Sequence, residues 1–404
     1  MGELQVASRM TPVHSDIRGE IFIEALRMQQ AGESVLKLNT GNPGAFGFTM
    51  PQSLKSVLEQ HMDRAVAYCD FRGMREAREA ICAYHNKNGI KGLSPEDIYI
   101  TNGVSEAVTM LLNAYLNPGD ELLLPSPGYS LWTNTVYLCG AKPVFYRCDE
   151  QNAWNPDIDD MRRRITARTK AILLINPNNP TGAVYSEEVL EKVIALAAEY
   201  DLPLFSDEIY DRLVYDDVPF HSTAALASED AVVVTTNGLS KSHLVCGFRC
   251  GWLAISGPTA KKHALLAALD KLASMRLCSN ALMQLVIPAA LNDPRTPKSM
   301  VSPGGRLYEQ RKAACDALEK VDTLQFVKNK GAFYVFPRID PSLHITDDHR
   351  FAMDLLHETH ILVVPGTGFD WQEQNHFRLV LLPEPHALAD AVEKIGAFLS
   401  HYHQ

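Results

Sequence analysis

Residues 171–182 read AILLINPNNPTG, an apolar run that is followed at once by prolines, asparagines and a glycine. A short, continuous apolar run is typical of a buried strand, and the residues after it are typical of a turn. Six similar runs, with helical patterns between several of them, lie at 97–101, 121–125, 142–147, 203–207, 231–236 and 250–255. This alternation predicts an α/β fold whose large domain carries a mostly parallel, seven-stranded sheet.

The C-terminal part of the chain follows a different pattern, which is typical of a smaller α+β domain. A long helix is predicted at 304–320, and a final helix at 385–400. Strand-like runs between these helices lie at 333–336, 361–364 and 377–381. We predict three parts, divided near the proline-rich stretch 291–303. They are an N-terminal segment that joins the small domain (1–50, with a helix at 17–30 and a strand at 35–39), a large domain (51–295) and the small domain (296–404).

The composition excludes several classes of protein. The 404 residues include 38 basic and 48 acidic ones, and the resulting net charge of −10 argues against a nucleic-acid-binding protein. No apolar run approaches the roughly 20 residues that span a membrane, and no secretory signal is visible. The eight cysteines form no Cys-x-x-Cys pair, and His357, Glu358 and His360 lack the spacing of a zinc motif. We therefore expect a cytoplasmic protein without a metal site.

Polar side chains follow three of the predicted strands. Asn179 lies in the turn after the first quoted run, Asp207 ends a second run with Tyr210 three residues later, and Lys241 follows a third. Ligands bind at the carboxyl ends of the strands in open α/β sheets. A loop, a helix cap or an exposed lysine would explain each feature singly. Their occurrence at successive strand ends favours a ligand site.

Two further features point to an aldehyde and to an anion. A lysine in a pocket is expected to have a lowered pKa and to form a Schiff base with an aldehyde. Arg249 follows Lys241 by eight residues and, with serine hydroxyls, suits a phosphate. The turn at Gly103, Val104 and Ser105 precedes a predicted helix, whose first N–H groups would hold a phosphate, although a plain helix cap is the favoured interpretation of this turn when it is taken alone.

These motifs together resemble the class I/II aminotransferases among the fold-type-I pyridoxal 5'-phosphate (PLP) enzymes. The resemblance extends from about Asp16 to the C-terminus. Within the family the chain looks most similar to bacterial glutamate–pyruvate (alanine) aminotransferases, through the strings at 16–19, 38–43, 273–278 and 303–311. The shared family motifs are Asn-Pro-x-Asn-Pro-Thr-Gly at 176–182, Asp-Glu-x-Tyr at 207–210, Ser-Lys at 240–241 and Gly-Phe-Arg-x-Gly at 247–251.

The resemblance implies a role for each of these residues towards PLP. Lys241 would bind the cofactor covalently and later move a proton, and Asp207 would pair with the pyridine nitrogen. Tyr210 and Asn179 would hydrogen-bond the 3-oxygen, and Tyr129 would stack on the ring. The groups implied for the phosphate are Gly103, Val104, Ser105, Ser240, Arg249 and, from a neighbouring subunit, Tyr68.

The resemblance also implies the substrate contacts. Arg378 would bind the α-carboxylate in a bidentate manner, with help from Asn179 and the backbone of Gly41. Arg18 would either form part of a lid or be a solvated charge. One departure concerns Gly238, where many relatives carry a serine that contacts the phosphate. Ser240 or Asn237 would have to replace that hydroxyl.

The implied activity is a ping-pong transfer of an amino group between L-alanine, or a similar small amino acid, and 2-oxoglutarate, in a homodimer with shared active sites. Two kinds of alternative use the same fold, namely a PLP-dependent C–S β-lyase or decarboxylase and an aminotransferase for valine or other aliphatic amino acids. A third, a DNA-binding regulator built on this fold, is disfavoured because the motifs begin too early in the chain for an additional domain. The sequence does not determine the amino donor.

Overall fold

The computed structural model describes residues 4–293 and 295–404, and a large central sheet dominates it. The apolar runs form its strands, because helices cover both faces of the sheet and bury the side chains on each. The strands of the described chain are β1 (Leu36–Lys37), β2 (Ile98–Asn102), β3 (Glu121–Ser126), β4 (Lys142–Asp149), β5 (Asn155–Pro156), β6 (Thr169–Ile175), β7 (Leu204–Asp207), β8 (Val233–Gly238), β9 (Cys250–Ser256), β10 (Leu324–Gln325), β11 (Tyr334–Val335), β12 (Arg338–Ile339), β13 (Ile361–Leu362), β14 (Val364–Pro365) and β15 (Phe377–Val380).

The central sheet has eight strands in the order β2-β9-β8-β7-β6-β3-β4-β5. All seven predicted runs form strands of it, and the α/β prediction is confirmed. The eighth strand, β5, was not predicted because two residues, one of them proline, give no strand pattern. The pairs from β8 through β4 are parallel. Since β2 and β8 are both antiparallel to β9, β2 also runs parallel to β8.

Sixteen α-helices lie in the described part of the chain. Three of them, α4, α5 and α7, form helical patterns that were expected between the apolar runs. The helices are α1 (Glu20–Gln30), α2 (Gln52–His61), α3 (Arg75–Lys87), α4 (Val104–Tyr115), α5 (Ser130–Leu138), α6 (Ile158–Arg164), α7 (Glu187–Glu199), α8 (Thr223–Leu226), α9 (Leu239–Ser242), α10 (Thr259–Met275), α11 (Ala281–Gln284), α12 (Ile287–Asn292), α13 (Arg295–Val301), α14 (Arg306–Leu318), α15 (Asp348–Thr359) and α16 (Pro385–Leu399).

Side chains of the central strands alternate between two buried cores. In β6, Ile172 and Leu174 join one core, whereas Leu173 and Ile175 join the other with α4, α5 and α10. This two-residue period is the geometry of a strand. Helices and apolar side chains thus cover both faces of β6. None of the described helices is long and apolar enough to cross a membrane.

A second group of elements packs around α14, α15 and α16. β11, β15 and β14 form a three-stranded sheet there, and β10 pairs with β12. β1, near the N-terminus, pairs in parallel with β13. The N-terminal helix begins at Glu20, not at the predicted residue 17, because Asp16–Arg18 forms a separate 3-10 turn that Gly19 ends. The proline-rich stretch contains the short helix α13, and the three-part domain division stays a prediction.

Candidate active site

The carboxyl ends of β2, β6, β7 and β8 lie at one edge of the central sheet, and a cavity of about 740 Å³ opens beside them. The sequence motifs meet here because parallel strands bring their following loops together. All predicted site residues except Gly103 and Tyr68 line this cavity. They are Arg18, Gly41, Val104, Ser105, Tyr129, Asn179, Asp207, Tyr210, Ser240, Lys241, Arg249 and Arg378.

Asp207 is a buried carboxyl group at the end of β7. Its Oδ2 accepts a hydrogen bond from the Trp132 indole at 3.0 Å, and its Oδ1 accepts one from the Ile209 N–H at 3.3 Å. Burial raises the pKa of Asp207 above its ordinary value, although these hydrogen bonds oppose the shift. No helix begins here, so the helix-cap interpretation is wrong. Within residues 4–293 and 295–404, no basic side chain forms an ion pair with Asp207.

Arg378, on β15, is a buried guanidinium that is 1% exposed. One terminal nitrogen donates to Asn179 Oδ1 at 2.9 Å, and the other donates to the carbonyl oxygen of Asn39. Its Nε has no hydrogen-bond partner among the described residues, which also provide no carboxylate to pair with it. Burial lowers its pKa, but an arginine stays charged at neutral pH. The cavity therefore holds a buried cation that lacks an anion.

Tyr210 and Tyr334 face each other beside this arginine. Their hydroxyl oxygens lie 2.8 Å apart, and the Arg378 guanidinium stacks 4.4 Å from the centre of the Tyr334 ring. Burial raises the pKa of Tyr210 well above its ordinary value, and burial likewise raises that of Tyr129. These shifts favour the protonated phenols of Tyr210 and Tyr129, which can therefore donate a hydrogen bond at neutral pH.

Lys241 lies in α9, directly after β8. Its Nζ donates to the carbonyl oxygen of Gly41 at 2.8 Å and lies 5.5 Å from the centre of the Phe333 ring. Burial lowers the pKa of this ammonium, but the nearby acidic groups of Tyr334 and Cys246 raise it, and the net shift is upward. The expectation of a lowered pKa is thus wrong for the chain alone, because those groups outweigh burial.

A cluster of donors lies at the start of α4. The first residues of this helix, Val104 and Ser105, follow Gly103, which adopts a positive φ of 79°. Any Cβ at Gly103 would collide with the Arg249 guanidinium, so glycine allows the arginine to reach the helix start. Gly103 is therefore the cap residue, and Ser105 lies inside the helix. N–H groups at a helix start together with a guanidinium suit a phosphate.

The structure also distinguishes the two candidates for the missing serine hydroxyl. Asn237 donates to Asp211 Oδ2 at 2.7 Å and accepts from the Gly238 N–H, so its side chain is occupied away from the cavity. Ser240 lines the cavity. At Gly238, a Cβ would lie 2.5 Å from the carbonyl oxygen of Cys250, because β8 and β9 approach closely there. Ser240 is the candidate that remains.

Two predicted residues lie outside the enclosed part of the site. Tyr68 is 78% exposed and does not line the cavity. Arg18 lines the cavity at its rim but is exposed, with no ion pair in the described chain. The structure of one chain thus leaves the predicted phosphate contact of Tyr68 and the lid role of Arg18 as predictions.

Sequence reasoning missed several residues that build the site. Trp132 holds Asp207, and Tyr334 contacts Tyr210 and Arg378. His14 also lines the cavity, although it precedes the first motif. Tyr334 lies in an apolar run that indicates only a strand, and Trp132 lies on a buried helix face. Nothing in either pattern separates these residues from ordinary core.

Comparison with known proteins assigns the family. The family profile "Aminotransferase class I and II" matches residues 33–395. Glutamate-pyruvate aminotransferase AlaA of Haemophilus influenzae is 45% identical over 399 residues, which cover 98% of each chain. Alanine aminotransferase of Mycobacterium bovis is 44% identical over 400 residues, which cover 98% of this chain and 93% of that one.

Solved structures agree with this assignment. An aminotransferase from Escherichia coli superimposes with a TM-score of 0.98 at 43% identity and covers the whole of both chains. Alanine aminotransferase from Pyrococcus furiosus gives a TM-score of 0.93 at 36% identity, over 98% of this chain and 100% of that one. The predicted fold type and the predicted resemblance are confirmed. This chain belongs to the class I and II aminotransferase family.

Proposed function

We propose that the chain is a PLP-dependent aminotransferase that moves an amino group between L-alanine and 2-oxoglutarate, with pyruvate and L-glutamate as the other pair. The observation that supports the cofactor best is the presence of Asp207 and Arg378 in one cavity, both buried and both without an ion partner in the described chain. A buried charge without a partner is costly. Such a cost suits a site that a charged ligand completes.

The donor set fits PLP group by group. A protonated pyridine nitrogen would supply the cation that Asp207 lacks. The start of α4, Ser240 and Arg249 would hold the phosphate, since the missing Cβ of Gly103 lets the Arg249 guanidinium reach the helix start. Tyr129 offers an aromatic face to the ring. No metal is needed for any of these contacts.

Two donors remain for the 3-oxygen of PLP. The Asn179 Oδ1 already accepts from Arg378, so its Nδ2 is the atom left to donate. The Tyr210 hydroxyl is the second donor. When bound, PLP would supply an electron sink for the negative charge that develops on the substrate α-carbon.

The remaining steps belong to side chains of this chain. Arg378 would bind the substrate α-carboxylate through the planar fork of its guanidinium, which fixes the α-carbon in position. Lys241 would remove the proton from that carbon and deliver it to the aldehyde carbon of the cofactor, so that one base serves both proton transfers. Because the amine is tethered beside the carbon, proximity alone would lower the activation free energy by several kcal/mol. The rim residue Arg18 would contact the substrate as it enters.

Alanine and 2-oxoglutarate are proposed as substrates because the Haemophilus influenzae and Mycobacterium bovis relatives carry the names glutamate-pyruvate aminotransferase and alanine aminotransferase. An assay of alanine, valine and cystathionine against 2-oxoglutarate and pyruvate tests this choice. Alanine with 2-oxoglutarate should give the highest kcat/KM. Ammonia release from cystathionine without an oxo acid would favour the β-lyase, and a preference for valine would favour the branched-chain alternative.

A homodimer is proposed from an exposed apolar surface, here called the Tyr68 patch. It comprises Val66, Tyr68, Met275 and Leu277, which are 87%, 78%, 79% and 53% exposed. The segments that carry these residues are joined, since Gln284 donates to both Cys69 Sγ and Ser279 Oγ. Exposed apolar patches mark protein interfaces. Across such an interface Tyr68 would reach the partner's phosphate site, and a fully active monomer in light scattering would contradict the proposal.

A cytoplasmic location is also proposed. All eight cysteines, which lie in the described part of the chain, are free thiols. Free thiols suit a reducing compartment.

Lys241→Ala is the decisive test of the cofactor. The wild-type protein should show the absorbance band of lysine-bound PLP. The variant should lose this band, and its kcat should fall about 10²- to 10⁴-fold. Lys192→Ala, which changes an exposed lysine paired with Glu188, is the matched control and should retain both. A wild-type protein that gains no band with added PLP would disprove the proposal.

A further inference from the structure

We propose that Tyr334 is a positioning residue of this site, whose hydroxyl donates to Tyr210 and whose ring supports the Arg378 guanidinium. The inference rests on the proposed function, because its two targets are the donor to the cofactor 3-oxygen and the clamp for the substrate carboxylate. Tyr334 carries out neither task itself. It joins them, since it contacts both residues at once.

The hydroxyl contact has a defined direction once the 3-oxygen is present. A phenol has a single hydrogen to donate. If Tyr210 gives that hydrogen to the cofactor oxygen, the 2.8 Å contact with Tyr334 can persist only with Tyr334 as the donor. Hydrogen bonds in such a chain polarise one another, so Tyr334 makes Tyr210 a stronger donor. A stronger donor stabilises the ionised 3-oxygen and lowers the pH at which lysine-bound PLP loses its proton.

The ring contact acts on the other residue. The Tyr334 ring lies 4.4 Å from the Arg378 guanidinium, and Phe369 stacks at 4.6 Å. These two rings and the oxygens of Asn179 and Asn39 fix the orientation of the guanidinium. The ring requires no hydroxyl for this contact. The two parts of one side chain therefore serve two separable purposes.

The surrounding backbone is shaped around the Tyr334 hydroxyl. A Cβ at Gly41 would collide with that hydroxyl and would lie 2.7 Å from the Phe333 ring. The same Gly41 provides the carbonyl oxygen that accepts from Lys241. If Tyr334 served only to pack the core, the glycine at position 41 would not be needed to make room for its hydroxyl.

The first experiment titrates the absorbance of the PLP-loaded enzyme against pH, with no substrate present. Tyr334→Phe should raise the titration midpoint by about half a pH unit, because the donor chain is shortened by one member. Tyr215→Phe is the matched control, since the buried Tyr215 hydroxyl has no hydrogen-bond partner in the described chain, and it should leave the midpoint unchanged.

A double-mutant cycle separates positioning from general structural damage. In a Tyr210→Phe background the donor to the 3-oxygen is absent, so adding Tyr334→Phe should cause no further shift. Gly41→Ala, which displaces the hydroxyl instead of removing it, should raise the midpoint as Tyr334→Phe does. Additive shifts in the cycle, or a Tyr334→Phe midpoint within 0.1 unit of the wild type (about 25% in the equilibrium constant), would overturn the inference.

The second experiment measures the Kd of propionate, an unreactive analogue of the alanine skeleton, for the same enzymes. Tyr334→Phe keeps the ring and should change the Kd less than about twofold, whereas Tyr334→Leu should weaken binding about fivefold. Equal Kd values for the two variants would overturn the role of the ring. If the wild type binds PLP but the variants do not show these differences, only the inference is overturned. If the wild type gains no PLP band, the proposed function and the inference are overturned together.

Discussion

Buried charges occur at both edges of the central sheet, and they are treated differently there. At the amino edge, where β2 begins, Asp97 and Lys262 are 5% and 4% exposed and form an ion pair at 2.6 Å. Asp207 at the carboxyl edge and Arg378, which lines the same cavity, are equally buried, but neither has an ion partner among the described residues. In the Asp97–Lys262 pair, the attraction between the two charges offsets the free-energy cost of removing them from water, so the pair is complete without a ligand. The unpaired ones point to an absent ligand.

Glu208, the neighbour of Asp207, shows a third solution. Its carboxyl accepts from the hydroxyls of Ser206 and Ser222, each at 2.9 Å, and from the Thr223 N–H. Burial and the nearby Asp211 raise its pKa to about 8. Glu208 is therefore a neutral, hydrogen-bonded group at neutral pH. The two adjacent carboxyl groups therefore differ. Glu208 is stabilised by hydrogen bonds within the chain, whereas Asp207 lacks a cation in the described chain that could pair with it.

The largest effect is expected from breaking the pair at the amino edge. Lys262→Met should lower the free energy of unfolding of the cofactor-free chain by about 3–5 kcal/mol, because it leaves Asp97 buried and unpaired. Asp207→Asn should change that free energy by less than about 1 kcal/mol, since no ion pair is lost. Urea unfolding followed by circular dichroism measures both. Equal losses in the two variants would contradict the comparison.

At the carboxyl edge the corresponding loss should appear in activity. Arg378→Lys keeps the charge but removes the fork, so kcat/KM for alanine should fall about 10- to 100-fold, as expected for a charged hydrogen bond of about 1.5–3 kcal/mol. Steady-state kinetics of the loaded enzyme give this value. Arg350→Lys, at an exposed arginine of α15, is the control and should leave kcat/KM unchanged.

Glu208 makes a pH-dependent prediction. Its pKa is raised from 4.5 to about 8 in the fold. The unfolded chain therefore loses this proton first, and the contribution of Glu208 to stability, full below about pH 4.5, is lost as pH rises through about 8. Glu208→Gln should remove a slope of up to about 1.4 kcal/mol per pH unit from that window. Unfolding free energies measured from pH 5 to pH 8 test it, and an unchanged slope would show that Glu208 is ionised in the fold.

The smallest effect is expected at the rim of the cavity, where charges pair with one another. His14 lies 2.7 Å from Asp16 and 3.7 Å from Asp370, and hydrogen bonds to these carboxylates raise its pKa to about 10. Its stabilisation is complete below about pH 6.5 and is lost as pH rises through about 10. Because the side chain is 35% exposed, His14→Gln should cost less than about 1 kcal/mol at pH 7 and nothing above pH 10. Thermal unfolding at both pH values measures the difference.

Much of the site was predictable because its residues lie at strand ends. Asn179, Asp207 and Lys241 follow apolar runs, and parallel pairing brings such loops to one edge of the sheet. Arg378 was not decided by its own pattern, since an arginine in an alternating strand is equally consistent with an exposed position. Only the resemblance to the family indicated its role.

The sequence by itself determined the α/β class, the strand runs and the motif order, because hydrophobic periodicity and turn chemistry are local properties. Tertiary structure alone decided which charges remain unpaired. Arg378 and Tyr334 reach the cavity from a separate small sheet, Trp132 reaches Asp207 from α5, and a hydrophobic pattern cannot tell a core phenol or indole from one that donates to a buried polar group. The upward shift in the pKa of Lys241 has the same origin, since it arises from groups distant in the chain that folding places around one amine.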